Sequence, residues 1–364
     1  MRGSFGEHFR LSIFGESHGD AIGIVIDGVP AGFQIDEEEV AFHMHRRAPG
    51  HDPSSSPRRE ADRVRILSGV LNGYATGAPI CGLIENTNTR SSDYKELARL
   101  MRPGHADYAG YVKYRGFNDP RGGGHFSGRL TAPLVFAGSI ARQLLSAHGI
   151  TIGAHIASIG ETDDVPFDPV RVSSEVLDSL HHAAVPLLDP SLEATIRAAI
   201  ADAKASGDSI GGSIECAACG VPAGIGSPFF GSLESVFSQL AFSVPAVKSV
   251  SFGSGEAFAH MRGSTANDAL CMADGRVTTL TNHNGGVTGG ITNGMPVLLR
   301  VTVKPTPSIA LPQSTVDVTS LSDAFLEIKG RHDPCIVLRA VPVIESVLAI
   351  ALTELMMDNR SLSL

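Results

Sequence analysis

The sequence predicts one mixed α+β domain, and three observations carry that reading. Strand-like and helix-like patterns alternate along the chain with no Pro/Gly/Ser stretch long enough to act as a linker. Forty glycines and no tryptophan among 364 residues point to many tight turns rather than a helical bundle. A motif also recurs: Ile22-Gly23 leads to Gly28-Val29-Pro30-Ala31-Gly32, and Ile210-Gly211 leads to Gly220-Val221-Pro222-Ala223-Gly224. A duplicated βαβ-type unit folded with internal pseudo-two-fold symmetry is therefore expected, with halves at roughly 1–150 and 205–364 inside a single domain 1–364.

Taken in order, Ala21 to Asp27 reads as a strand, as do Val64 to Val70 and Ala78 to Ile84. A helix is expected from Pro133 to His148, stopped by Gly149. Asp189-Pro190 is an N-cap followed by proline at the first helical position, and Leu192, Ile196, Ile200 and Ala203 then share one face up to Gly207. In the second copy, Val247 to Phe252 is a strand. Val297 to Val303 is almost continuously apolar, which predicts a strand covered on both faces. A last helix is expected from Pro342 to Met357.

Composition bounds the function. Hydrophobic residues make up 43% and charged residues 18%, enough for a sizeable core. The apolar stretch Val347 to Met357 is shorter than the ~20 residues a membrane helix needs. Glu7, His8 and Arg10 stand where a signal peptide needs an apolar run, so a cytoplasmic protein is expected. The five cysteines are too few and scattered for a disulfide framework. Cys216-x-x-Cys219 lies in a strand-like segment, which favours reduced, buried thiols over redox or zinc chemistry. A net charge of −9 opposes nucleic-acid and acidic-membrane partners. The arginines are nonetheless bunched, at positions 46, 47, 58, 59, 63 and 65 and again at 102, 115, 121 and 129. That pattern suits a pocket for a small anion; a solvated basic face is the competing reading.

Four motifs carry candidate chemistry. Gly15-Glu16-Ser17-His18-Gly19 exposes a polar trio between small residues, and a histidine there suits proton transfer. Its likeness to a nucleophile elbow is discounted, because a strand follows where the elbow needs a helix. In Arg102-Pro103-Gly104-His105-Ala106-Asp107, the arginine can hold a phosphate or carboxylate and Asp107 can orient His105. A metal site of His105, Asp107, His332 and Asp333 is the alternative, ranked lower because no ligand spacing supports it. Arg121-Gly122-Gly123-Gly124-His125-Phe126-Ser127-Gly128-Arg129 offers backbone N–H groups to an anion. Lys304-Pro305-Thr306-Pro307-Ser308 is a stiff, positive corner at a strand end, followed later by Gly330-Arg331-His332-Asp333.

These blocks, with Arg46-Arg47, Asp208-Ser209-Ile210-Gly211, Ala246-Val247-Lys248 and Gly285-Gly286-Val287-Thr288-Gly289-Gly290, resemble the chorismate synthase family over essentially the whole chain. The resemblance implies a single-domain β-α-β sandwich and a lyase. That lyase converts 5-enolpyruvylshikimate 3-phosphate to chorismate and phosphate by 1,4-anti elimination with reduced FMN, the last step of the shikimate pathway. It places the working histidines on His18 and His105 and a third catalytic residue on Asp333. Substrate contacts would fall on Ser17, Arg47, Arg102 and Arg129. Cofactor contacts would fall on His125, Phe126, Ser127, Pro245, Ala246, Gly289, Lys304, Pro305, Thr306, Pro307, Ser308 and Arg331. No metal is implied.

The glycine run departs from the commonest family pattern, with His125 and Phe126 where arginine and serine are usual. Phe126 is then expected to pack on the flavin and His125 to act as a pH-dependent cation. Pro53 aligns with an arginine linked to nicotinamide-nucleotide binding, so NADPH is expected only as an indirect reductant. A homotetramer that does not reduce its own flavin is the implied assembly. The alternatives are a flavin- or phosphate-binding module without turnover and a metal-assisted phosphate hydrolase.

Overall fold

The computed structural model describes residues 3–50, 62–87, 96–328 and 333–359. Strands β1 (Ser4–Phe5), β2 (Arg10–Gly15) and β3 (Ala21–Asp27) precede helix α1 (Glu37–Arg47). Then come β4 (Val64–Ser68), the hairpin β5 (Val70–Leu71) and β6 (Tyr74–Ala75), and β7 (Ile80–Glu85). Helices α2 (Asp107–Tyr114) and α3 (Thr131–Ser146) lead into β8 (Thr151–Ile159) and β9 (Thr162–Asp163). After α4 (Ser174–His182) and α5 (Glu193–Ala205) follow β10 (Gly212–Cys219), α6 (Leu233–Ala241), β11 (Val247–Phe252) and α7 (Gly263–Ala266). Hairpins β12 (Leu270–Ala273) with β13 (Arg276–Thr279) and β14 (Val287–Thr288) with β15 (Ile291–Thr292) precede β16 (Val297–Val303). The chain ends through β17 (Gln313–Asp317), β18 (Ser322–Leu326) and the long helix α8 (Val337–Asp358).

Two five-stranded antiparallel sheets result, ordered β1-β2-β3-β7-β4 and β9-β8-β10-β16-β11. The three strands β10-β16-β11 repeat the order of β3-β7-β4, with α1 matched by α6 and α3 by α8, while the edge strand precedes its neighbour in the first sheet and follows it in the second. The recurring motif has the same setting in both: Gly32 N donates to Ala75 O and Gly224 N to Thr292 O, each at 2.8 Å. Likewise Thr76 N donates to Gly69 O and Asn293 N to Gly286 O. Because β8 belongs to the second sheet, the second half starts with it and not at residue 205. The strands pair antiparallel, so each half is a meander-like sheet with packed helices rather than the parallel βαβ crossover expected.

The alternation in β3 puts Ile22, Ile24 and Ile26 on one fully buried face. One hydrophobic cluster joins these to Phe136 and Ile140 of α3, Val347 and Ile350 of α8, and Ile214 and Val301 of the second sheet. The helices are thus the filling of a sandwich. α3 and α8 cross closely, since a Cβ at Gly138 would overlap Ser346.

Three expectations are corrected here. The final helix starts at Val337 instead of Pro342, so the proline stands inside its second turn and leaves the Leu338 carbonyl without its intrahelical donor. At 22 residues α8 is long and apolar enough to cross a membrane, yet 94% of its most apolar window is buried inside the fold. Strand β16 is covered on only part of its outer face, because Arg300 and Thr302 are exposed while Leu298 packs with Leu177 and Leu180 of α4. Asp189 caps Ser191 N at 3.0 Å, as its sequence suggests, but the first turn is 3-10 before α5 begins. Cys216 and Cys219 lie on β10 as free thiols, and burial raises both pKa values.

Inside the sandwich, the buried Glu345 of α8 ties together several elements. It accepts from Arg46 of α1 at 2.5 and 3.1 Å and from Ala154 N of β8 at 3.1 Å, with Arg142 of α3 at 3.5 Å. Arg142 Nη2 also donates to Nε2 of His181, 2.9 Å away, which requires a neutral imidazole because arginine has only donors. Burial, opposed in part by Glu345, lowers the His181 pKa to about 3. For Glu345 burial acts upward, but Arg46, His181 and Arg142 outweigh it and bring the value to about 2. Both folded values lie below the unfolded ones. The stabilisation is therefore complete above pH 6.5 for His181 and above pH 4.5 for Glu345, and it is lost as pH falls. His181→Gln, which keeps an acceptor for Arg142, is expected to flatten the fall in denaturant-measured stability between pH 6.5 and 4. The slope should change by up to about 1.4 kcal/mol per pH unit. Equal slopes for wild type and variant would show that His181 is not held neutral.

Candidate active site

The turn between β2 and β3 carries Ser17 and His18, both buried, with His18 Nδ1 3.3 Å from Ser17 Oγ. Ser17 N donates to Gly124 O at 3.1 Å, which fastens this turn to the glycine loop. Gly122, Gly123 and Gly124 have φ of 58°, 85° and 54°, conformations that cost an L-residue roughly 1–2 kcal/mol each. Space matters as much as torsion. A Cβ at Gly122 would overlap the His18 ring, and one at Gly123 would lie 3.1 Å from His105 Cε1 and 3.2 Å from its Nε2. Consecutive glycines therefore let both imidazoles lie against one loop.

His105 is oriented by the start of α2. Its Nδ1 is 2.6 Å from Asp107 Oδ1, so the Nδ1 proton goes to the carboxylate and Nε2, beside Gly123, is the atom left for proton exchange. Arg102 grips the same carboxylate through Nε at 2.7 Å and Nη2 at 2.8 Å. Burial opposes the Asp107 charge, but the hydrogen bonds and charges of Arg102 and His105 prevail and hold its pKa well below the usual carboxylate value.

The second half closes over this loop. Lys304 Nζ donates to Gly104 O at 2.5 Å, Arg102 Nη1 to Ser308 Oγ at 3.2 Å, and Thr306 Oγ1 to Asp333 O at 2.9 Å. Pro307 lies beside Gly104, and Pro305 packs on Gly211. Lys304 N donates to Ala246 O at 2.9 Å. Ala246, next to Pro245, has a φ of 75° without being glycine, a strain of about 1–3 kcal/mol that the surrounding contacts hold. Burial and then Lys248 lower the pKa of Lys304, and neither lysine is ion-paired among the described residues.

A third element is a buried carboxylate between two arginines. Asp62 accepts from Arg47 Nη1 at 2.6 Å and from Arg129 Nη1. Burial works against its charge and the two guanidinium groups reverse the balance, leaving its pKa lowered; burial also pulls Arg47 down to about 10. Arg47 further donates to Thr131 Oγ1 at 3.1 Å and Gly128 O at 2.8 Å. Its carbonyl accepts from Arg339 Nε at 3.0 Å, and Arg339 pairs with Asp333.

The structure thus brings Ser17, His18, Arg47, Arg102, His105, Ser127, Arg129, Ala246, Lys304 to Ser308 and Asp333 around connected loops from both halves. His125 and Phe126 have other partners than those expected. His125 Nδ1 donates to Gly15 O at 2.9 Å, and Phe126 packs against α2 beside Tyr114, where a Cβ at Gly110 would come within 2.7 Å. Gly289 forms the turn of hairpin β14–β15, with no described contact to these loops. Arg331, His332, Pro53, Arg58 and Arg59 lie outside the described residues. The first arginine cluster does not form one pocket, since Arg46 is spent on Glu345 and Arg65 faces Glu85 on the surface. The metal reading gains nothing from geometry: His105 and Asp107 hold each other and Arg102, and Asp333 is paired with Arg339. Sequence reasoning missed Asp62, Asn86 and Arg339; only Asp62, an acid inside an arginine-rich run, left a signal.

The chorismate synthase family model matches residues 9–357. The chain belongs to the chorismate synthase family. Chorismate synthase of Korarchaeum cryptofilum is 46% identical over 359 residues, covering 98% of this chain and 97% of that one. Chorismate synthase of Dehalococcoides mccartyi (strain BAV1) is 44% identical over 356 residues, covering 98% and 96%. A crystal structure of chorismate synthase aligns with a TM-score of 0.76 at 28% identity, covering 98% of this chain and 93% of that one. Membership makes this protein an enzyme, a lyase of the shikimate pathway.

Gly122→Ala is expected to push His18 from its place and to lower turnover on the order of a hundredfold. Gly263→Ala, where a Cβ meets nothing within 4 Å, should leave turnover unchanged. A steady-state assay of both variants with thermal melting separates displacement of His18 from unfolding.

Proposed function

We propose that this protein converts 5-enolpyruvylshikimate 3-phosphate to chorismate and phosphate by 1,4-anti elimination, with reduced FMN bound beside the substrate. The observation that carries the proposal is the pair of imidazoles against one glycine loop, flanked by arginines from three segments. Phosphate leaves one ring carbon and a proton leaves another, the ring's one double bond shifts as a second forms in conjugation with it, and no net oxidation occurs. A catalyst for this needs a proton donor at the leaving phosphate and fixed positive charge around it.

His105 meets the first need. Asp107 accepts the hydrogen bond from Nδ1–H, which leaves Nε2 to face the departing phosphate, and its carboxylate would support the charge of a protonated ring until the Nε2 proton is given up. Arg102, Arg129 and Arg47, with Arg331 from sequence, supply the second need. The guanidinium groups of Arg102, Arg129 and Arg47 are held by buried carboxylates before substrate arrives, which lowers the cost of arranging them. Ser17 and His18 stand across the same loop, where His18 would exchange a proton with the cofactor.

The residues present fit a flavin mononucleotide. Lys304, whose charge is opposed first by burial and then by Lys248, suits a phosphomonoester. Thr306 and Ser308 add hydroxyls close along the chain, Ser127 adds another from the glycine loop, and the Ala246 carbonyl fixes the Lys304 backbone. When bound, reduced FMN supplies transient electron density and assists removal of the ring proton. Asp333, fixed by Arg339, would stand on that side.

The enzyme is further read as cytoplasmic, homotetrameric and dependent on an outside source of reduced flavin, with NADPH acting only indirectly. Exposed Leu270, Met272 and Val277 on hairpin β12–β13 support assembly with further copies.

Anaerobic incubation with the substrate and chemically reduced FMN should produce the diene absorbance of chorismate, unaffected by EDTA. His105→Ala should lower the rate at least a hundredfold, and Asp107→Asn at least tenfold, by loss of the imidazolium's support. Absence of diene in the wild type, with FMN binding demonstrated, would overturn the proposal.

A further inference from the structure

Asn86, just beyond the end of β7, is a side chain to which the motif reading assigned no role. Its Nδ2 donates to Glu16 O at 3.1 Å and to Gly19 O at 2.9 Å, the two carbonyls that bracket Ser17 and His18. Its Oδ1 accepts from Arg129 Nε at 3.1 Å, and its backbone N–H donates to Asp20 O at 3.0 Å. The orientation of the amide is set by its neighbours. Arginine offers only donors and carbonyls only acceptors, so the reverse placement would oppose like with like at all three contacts. Arg129 is in turn fixed by the buried Asp62, so the turn is tied through Asn86 to the most deeply buried charges of the site.

From these contacts we infer that Asn86 is a positioning residue: it holds the Glu16–Gly19 turn in register with Arg129 and so sets where the His18 imidazole stands relative to substrate. This turn is also restrained by the bonds of Ser17 N to Gly124 O, Gly19 N to Glu16 O and His125 Nδ1 to Gly15 O, none of which reaches an arginine. Asn86 bridges both ends and couples them to the arginine. The inference rests on the lyase reading above.

Two near-isosteric variants separate the contacts. Asn86→Asp keeps the acceptor for Arg129 but sets an oxygen against both carbonyls. Asn86→Leu removes all three bonds. In the anaerobic diene assay both are expected to lower kcat at least tenfold. Combined with His18→Ala, Asn86→Asp should add less than a twofold further loss, since a residue acting through His18 has nothing left to position. In proton NMR the His18 Cε1–H resonance, assigned by its loss in His18→Ala, should shift in Asn86→Asp while that of His105 stays in place. Full activity in Asn86→Asp with loss only in Asn86→Leu would overturn the inference, because the arginine contact alone would then matter. Additive losses in the double variant would also overturn it. Should Asn86→Leu fail to fold, Asn86→Asp and its NMR signature still decide. A wild type that binds FMN but forms no diene is a failure of the lyase reading instead, and is seen before any variant is compared.

Discussion

The close crossing of α3 and α8 is the constraint on which the rest depends. Gly138 removes the side chain that would keep the helices apart, and Ser346 fills the space against it. Both site loops lead into these helices. The glycine loop ends at Thr131, where α3 begins, and the Asp333 segment runs into α8, whose first turn carries Arg339. The separation of the helices therefore sets the separation of the loops. Arg339 reaching from α8 to the Arg47 carbonyl on α1 is the direct expression of that distance.

Charge inside this frame is organised by sharing. Asp62 serves Arg47 and Arg129, Asp107 serves Arg102 and His105, and Glu345 serves Arg46 and Arg142. A buried carboxylate facing two cations recovers more of its desolvation cost than one facing a single partner. It also leaves local positive charge in excess. At Glu345 that excess is enclosed by the core and cross-links helices. At Asp62 and Asp107 it lies along the loops, where an anionic substrate can use it. The same device serves stability in one place and recognition in the others.

The glycine loop shows how the altered stretch is accommodated. His125 and Phe126 each have a partner within the protein. The histidine closes a bond to the Gly15 carbonyl and the aromatic ring occupies the space left by Gly110 on α2. Together they lock the loop against the two segments that carry His18 and His105, so the change from the commonest pattern acts on loop rigidity and through it on both imidazoles.

What the sequence determined by itself is local or cumulative. Runs of strand-forming residues located β3, β11 and β16 because strand propensity depends on neighbouring residues. The recurring glycine motif revealed the two halves, since a turn repeats its backbone requirements wherever it is used. The ordered motifs identified the family and named His18, His105 and Arg102, and the two-residue spacing was enough to suggest that Asp107 orients its histidine. Tertiary structure alone decided which of many arginines face which carboxylate. Arg46 and Arg47 are adjacent in sequence yet point to Glu345 and Asp62, because successive residues on a helix project about 100° apart into different surroundings. Asn86 and Arg339 were invisible for the same reason. Their partners lie far along the chain, and no local pattern records a contact that exists only once the two halves have closed on each other.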